Sequence, residues 1–263
     1  MRVVELCVAG LFALLLVLFL VAPLLVSASV SVTGEEFLAF PPVGFSWRWY
    51  RAIWTTRAWR EALLNTALIG LACMMLATLV GAPAAYGISR LPRRRQREAA
   101  VLLFIAPLAV PHMTLALALY PAFAAAGLIG TRASLAIGHA IFALPFVVLS
   151  VLSVIRPRDR VLEAAARTLG ASPLTAFRRV TLPLLLPGVV AGAVLSFMVS
   201  FDDVTLPIFL SGSSAGTLPK AMLDALVLDS DPTVMSASTL VALLGLALFA
   251  LGSLVSRGLS SRR

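Results

Sequence analysis

The sequence predicts an all-α integral membrane protein with six transmembrane helices and both termini in the cytoplasm. Three observations lead there. The 263 residues are 60% hydrophobic and only 13% charged, whereas a soluble domain is about 45–50% apolar and about 25% charged. Mean hydropathy is +0.99, more apolar surface than a soluble sphere can hide, so lipid is the main solvent. The Lys and Arg residues fall unevenly between alternate connecting segments, as positive cytoplasmic loops require. A secreted disulfide scaffold, a disordered chain and an ordinary soluble enzyme are excluded. The two cysteines, Cys7 and Cys73, lie inside apolar runs and read as small core hydrophobes.

Each span is read from about 20 mostly apolar residues, the length that crosses a bilayer. The first helix, residues 1–26, carries its apolar run from Leu6 to Val26. It begins with Arg2 and is followed by Ser27-Ala28-Ser29, as a cleaved signal would be. Its 21 apolar residues exceed the about 7–15 of a signal core, so it reads as a retained helix. Residues 27–60 form an external loop holding all four tryptophans (Trp47, Trp49, Trp54 and Trp59) and Tyr50. Such rings favour the membrane interface, so part of this loop is expected to lie along the outer surface. Residues 61–256 form the main membrane domain. Its spans run Leu63–Tyr86, Ala99–Tyr120, Ser134–Ile155, Leu184–Leu210 and Val234–Ser256, and residues 257–263 are a cytoplasmic tail.

With the N-terminus inside, the inner segments carry 15 Lys and Arg residues and the outer segments 6. The basic run Arg90, Arg93, Arg94, Arg95 and Arg97 is then an orienting signal, and the net charge of +9 needs no nucleic acid to explain it. Known catalytic patterns are absent. The single lysine, Lys220, follows Pro219, so no phosphate-binding GxxxxGK[ST] loop exists, and no HExxH, CxxC or GxSxG occurs. His112 and His139 have no carboxylate at helical spacing and read as packed or interfacial residues rather than metal ligands. No cofactor, no metal and no enzymatic activity are expected.

The inner loop, residues 156–183, carries the strongest signal. Leu162–Leu169 is rich in good helix formers. Gly170 is a natural stop, and Ser172-Pro173 reads as the N-cap and first-turn proline of a second short helix. That helix bears Leu174, Phe177, Arg178 and Arg179 before Leu182-Pro183 leads into the next span. An apolar ridge with basic edges suits docking into a groove on another protein. Gly170 is expected to need its small size so that the two helices fold back tightly.

This loop resembles the EAA loop of permease subunits of bacterial ATP-binding-cassette importers. The family pattern is Glu-Ala-Ala, three residues, Gly, nine residues, then Ile-x-Leu-Pro. Ala165, Ala166 and Gly170 match, and Val180-Thr181-Leu182-Pro183 matches the end with Val for Ile. Ala164 stands at the glutamate position and Glu163 lies one residue early. The likeness extends over roughly 63–256. It includes Pro107, Pro111-His112, Leu115–Leu119, Gly138-His139 and Leu144–Val148, while Ser200-Phe201-Asp202-Asp203 resembles the spermidine/putrescine branch. The resemblance implies the type I importer permease fold and a bacterial inner membrane. It also implies two ATP-binding subunits, a sister permease subunit and a periplasmic substrate-binding protein. The implied solute is a polyamine, with another small polar solute as the alternative. A secondary transporter or channel is the reading from a different class, and no internal repeat supports it.

Asp202 and Asp203 stand out because an aspartate at a helix centre costs about 2.5–3.5 kcal/mol on insertion scales. Asp202 lies 18 residues beyond Leu184, about 27 Å at 1.5 Å per residue, in the outer half of the span. Adjacent helical residues point about 100° apart, so both cannot face one spot. One of them could line a cation pathway while the other pairs with a neighbour or caps a helix broken before Pro207.

Overall fold

The computed structural model describes residues 2–212, 214–228 and 231–260. Within its helices the side chains of residues 2–4, 6–8, 248, 249, 251, 253 and 255–260 lie outside the description, Cys7 and Arg257 among them. Arg262 and Arg263 of the expected tail also fall outside the described residues. Among the described residues every regular element is helical. The chain divides into two compact units: residues 1–61 with 221–246, and residues 62–220 with 247–263.

In the first unit α1 (Arg2–Val30) is apolar around its whole circumference, and residues 9–26 are exposed. A helix of that character is solvated by lipid. The loop after it is ordered by its aromatics. The Trp49 indole N–H donates to the Thr33 carbonyl at 3.0 Å, and the Tyr50 hydroxyl meets Ser31 Oγ at 2.8 Å. Trp49 and Tyr50 sit on the short helix α2 (Arg48–Thr55). Ser236, on α12 (Thr233–Ser260), donates to the Ser31 carbonyl at 2.9 Å.

The second unit holds residues 62–90 of α3 (Arg57–Arg90), then α4 (Arg94–Ala109), α5 (His112–Ala125) and α6 (Arg132–Val154). After these come α7 (Pro157–Thr168), α8 (Pro173–Ala176), a π-helical turn (Phe177–Thr181), α9 (Leu182–Asp202) and α10 (Thr205–Leu210). Residues 218–220 of α11 (Leu218–Leu228) close it.

Among the described residues four helical stretches are long and apolar enough to cross a membrane: Ala9–Val30, Arg57–Arg90, Arg132–Val154 and the unbroken run Pro173–Asp202. The expected straight span 99–120 is instead α4 and α5, bent by 97° at Val110-Pro111. The proline is the cause: its ring disfavours helical backbone at the residue before it, and Val110 is extended at φ −90°, ψ 124°. Taken as one span the bent pair brings the count among the described residues to five, and the sixth expected span falls on α12, whose described apolar stretch is Thr233–Ala247.

Two more boundaries differ from expectation. Leu182-Pro183 does not end a separate short helix. Pro183 lacks an N–H, and the register shifts by one residue just before it: the Leu182 N–H donates to the Phe177 carbonyl, five residues back. The helix therefore continues from the loop into α9. The expected span 184–210 stops at Asp202, because Asp203 turns extended at ψ 127°.

The closest packing joins α6 to α9. Gly188, Gly192, Ser196 and Ser200 recur every fourth residue and are all buried. A Cβ on Gly188 would sit 2.6 Å from the Ser150 carbonyl oxygen, and one on Gly192 would sit 2.8 Å from Val147 Cα. This stripe of small residues is the GxxxG solution to helix association in lipid, where close backbone approach substitutes for a hydrophobic driving force. Around it a core forms from Cys73 and Ala77 of α3, Val147 and Val151 of α6, and Leu185 of α9.

Candidate functional site

The predicted residues fall into two places at opposite ends of the Pro173–Asp202 helix.

At the first end, α7 opens with Pro157 in its first turn, and Asp159 Oδ2 accepts from the Arg156 backbone N–H at 2.8 Å. Gly170 then turns the chain at φ +91°. A Cβ there would meet nothing within 4 Å, which corrects the expectation about size: the position needs glycine for its left-handed backbone, not for space. Ser172 caps α8, its Oγ accepting from the Thr175 N–H at 3.2 Å, with Pro173 in the first turn.

Glu163 faces inward from α7. It pairs with Arg90 at the end of α3, accepts from Thr181 Oγ1 at 2.8 Å, and accepts from the Tyr86 hydroxyl at 3.3 Å. The carboxylate so ties three segments of the loop region together. Ala165, Gly170, Leu182 and Pro183 are exposed, while Ala166 and Val180 are half-buried. Val161, Leu162, Leu169 and Leu174 are also exposed, Leu169 at 89%. These four apolar positions and the exposed Arg178 make a ridge along α7, α8 and the π-helical turn.

At the other end the two aspartates separate. Asp202 is exposed and carries no hydrogen bond or ion pair among the described residues. Asp203 is buried and fully engaged. Its Oδ1 lies 3.1 Å from His112 Nδ1, and its Oδ2 accepts from the Leu206 N–H at 2.9 Å, capping α10. His139 Nε2 stands 3.3 Å from Oδ2, without the alignment of a hydrogen bond. His139 Nδ1 meets Ser200 Oγ at 2.6 Å. If the serine hydroxyl donates there, the imidazole proton sits on Nε2, the atom facing the carboxylate. One carboxylate thus joins the break before α5, the middle of α6 and the break after α9.

Sequence spacing gave no sign of this cluster. His112 is 91 residues from Asp203, and the stripe of small residues on α9 is what lets α6 bring His139 to Ser200. Asn65 was also missed. Its amide donates to the Gly216 carbonyl at 2.9 Å and its carbonyl accepts from Arg132 Nε at 2.7 Å, fixing the loop before α11. Its only signal was a polar amide inside an apolar run. Among the described residues no group of three or more His, Cys, Asp and Glu is placed to hold a metal ion.

Residues 77–263 match the family described as binding-protein-dependent transport system inner membrane component. The chain is 31% identical over 214 residues to the spermidine/putrescine transport system permease protein PotC of Haemophilus influenzae, covering 81% of this chain and 83% of that one. It is 30% identical over 229 residues to the putrescine transport system permease protein PotI of Escherichia coli, covering 85% and 81%. It is 32% identical over 251 residues to the molybdenum transport system permease protein ModB of Mycobacterium tuberculosis, covering 88% and 95%. Among solved structures, a chain of a bacterial transporter importing the acidic polysaccharide alginate superposes with a TM-score of 0.70 at 16% identity, covering 95% of this chain and 94% of that one. A chain of the MetNI methionine transporter gives 0.60 at 20% identity, covering 81% and 96%. These two likenesses concern the fold.

Proposed function

The chain belongs to the family of binding-protein-dependent transport system inner membrane components, the permease subunits of ATP-binding-cassette importers, and from that premise we propose that its solute is a polyamine such as spermidine or putrescine. In this reading it forms half of a translocation pathway beside a sister permease subunit. Two separate subunits hydrolyse ATP and a periplasmic protein delivers the solute. Loop 156–183 and both termini lie in the cytoplasm of a bacterial inner membrane, on the side that collects 15 of the 21 basic residues.

The observation that carries the mechanism is the unbroken helix Pro173–Asp202. Thirty residues at 1.5 Å make a rod of about 45 Å. One end is continuous with the exposed ridge of Leu162, Leu169 and Leu174, the surface offered to an ATPase groove together with Arg178 and Arg179. The other end carries the acid pair. A push on the ridge moves α9 as one body, and the Glu163–Arg90 tie passes it to α3 as well. At the far end Asp203 is occupied in holding α5, α6 and α10, which leaves the Asp202 carboxylate as the charge that attracts a cation. Glu163, Ala165, Ala166, Gly170, Val180, Leu182 and Pro183 are then coupling residues, and Asp202 lines the pathway.

The molybdenum permease relative favours a second reading, an oxyanion solute, which the exposed Asp202 charge opposes. The deciding experiment is uptake by the assembled complex in liposomes, with its own binding protein and ATPase. ATP-dependent entry of labelled putrescine or spermidine, weakened about tenfold in half-saturating concentration by Asp202→Asn, supports the polyamine reading. Entry of labelled molybdate without polyamine entry overturns it, and polyamine entry unaffected by Asp202→Asn removes that residue from the pathway.

A further inference from the structure

Three arginines from two segments, α4 and the start of α7, converge on one open cavity of about 400 Å³ beside the end of α3. Arg97 comes from the first turn of α4, Arg156 precedes α7, and Arg160 lies in the first turn of α7. The floor is apolar, built from Leu152 and Ile155 at the end of α6, with Ser89 of α3 at its side.

The positive charge is uncompensated. Glu98 pairs with Arg94 at 2.7 Å, Asp159 faces Arg158 at 4.0 Å and accepts the Arg156 backbone N–H, and Glu163 pairs with Arg90. Among the described residues no carboxylate stands within 4.0 Å of the guanidinium of Arg97, Arg156 or Arg160. Arg97 reaches only the carbonyls of Ser89 and Leu91, at the long distances of 3.4 and 3.5 Å. Three like charges around one cavity repel one another unless an anion joins them.

Its position says where that anion comes from. Leu102 and Leu103, about one and a half turns beyond Arg97 on α4, are 68% and 73% exposed. They lie about 120–140° around the helix axis from Arg97, so the cavity sits at the depth along α4 where exposed apolar surface begins. We propose that it binds the headgroup phosphate of an anionic phospholipid. The guanidinium forks hold the phosphate oxygens, and the Leu152–Ile155 floor meets the glycerol and first acyl carbons. Basic recesses between membrane helices hold headgroups in this way. Arg156 precedes α7 and Arg160 lies one turn further on, whereas Leu162 and the C-cap Leu169 lie about 160–180° around the axis from Arg160. The lipid braces the membrane side of the helix whose opposite side is the exposed ridge.

The test is titration of the purified, assembled transporter with phosphatidylglycerol, bound lipid being counted by native mass spectrometry. The wild-type complex is expected to retain the lipid, and Arg156→Ala/Arg160→Ala to bind it about tenfold more weakly. Arg156→Gln/Arg160→Gln, which keeps a polar side chain without the charge, gives the same loss if charge is the cause. Arg93→Ala/Arg95→Ala removes equal charge outside the cavity and leaves binding unchanged, and inorganic phosphate at millimolar concentration does not displace the lipid. Equal affinity in the wild type and both Arg156/Arg160 variants overturns the proposal. So does an equal loss in the Arg93/Arg95 variant, which marks diffuse attraction, or displacement by inorganic phosphate, which marks a free-anion site.

Discussion

Replacing Asp203 with alanine removes the acceptor of the Leu206 N–H and of His112, and the charge that faces His139. The Leu206 N–H loses its cap and the His139 imidazole loses its only facing charge, and both residues are at most 2% exposed. His112 is more open, 36% by its side chain, so water can replace what it loses. Each buried group left without a partner costs about 1–3 kcal/mol, toward the lower end inside a membrane protein. The Leu206 N–H alone gives about 1–2 kcal/mol. At about 2–4 °C per kcal/mol for a chain of this size, the purified transporter should unfold about 2–8 °C earlier. Thermal loss of the monodisperse peak in size-exclusion chromatography measures this. Asp203→Asn keeps an oxygen for the Leu206 N–H and should fall between. Asp202→Ala, at an exposed position, should stay within about 0.5 kcal/mol of the wild type, or about 2 °C. Equal shifts in Asp202→Ala and Asp203→Ala, or none in Asp203→Ala, would refute the assignment of Asp203 as the tie between the broken helices.

Two further expectations follow from the backbone. Gly192→Leu drives a side chain into the α6 backbone near Val147 and should cost about 3 kcal/mol or more in overpacking, seen as lost yield of assembled complex; Gly87→Ala, where nothing lies within 4 Å of the added Cβ, should be recovered normally. Gly170→Val strains a left-handed turn by about 1–2 kcal/mol and should reduce solute-stimulated ATP hydrolysis in the assembled transporter, whereas Gly170→Asn, which tolerates that backbone, should retain most of it; equal loss in both variants would point to a partner contact rather than to φ.

Much of the architecture was legible because its causes are local. A run of about 20 apolar residues has one low-energy answer in lipid, and the spans at α1, α3 and α6 follow from it. The turn at Gly170 and the cap at Ser172-Pro173 were equally readable, since each depends on one residue's backbone or side chain. Pro111 was a local signal too, but residues 99–120 read as one apolar span, and the 97° bend falls inside it. Pro183 misled in the other direction, because the π-helical turn that absorbs it depends on the continuing helix.

The amino-acid sequence determined that this chain is built of apolar membrane-spanning helices, which loop between them is long and polar, and where two acids end an apolar run. Those are matters of transfer free energy and short-range geometry, set by neighbours in the chain. Only the tertiary structure decided which acid is occupied and which is open. Asp203 is held by histidines that arrive on other helices, at distances fixed by how closely glycines let α6 and α9 approach. It likewise gathered Arg97, Arg156 and Arg160 around one cavity. Side chains tens of residues apart acquire a common electrostatic environment only when helices pack, so no linear spacing encodes it.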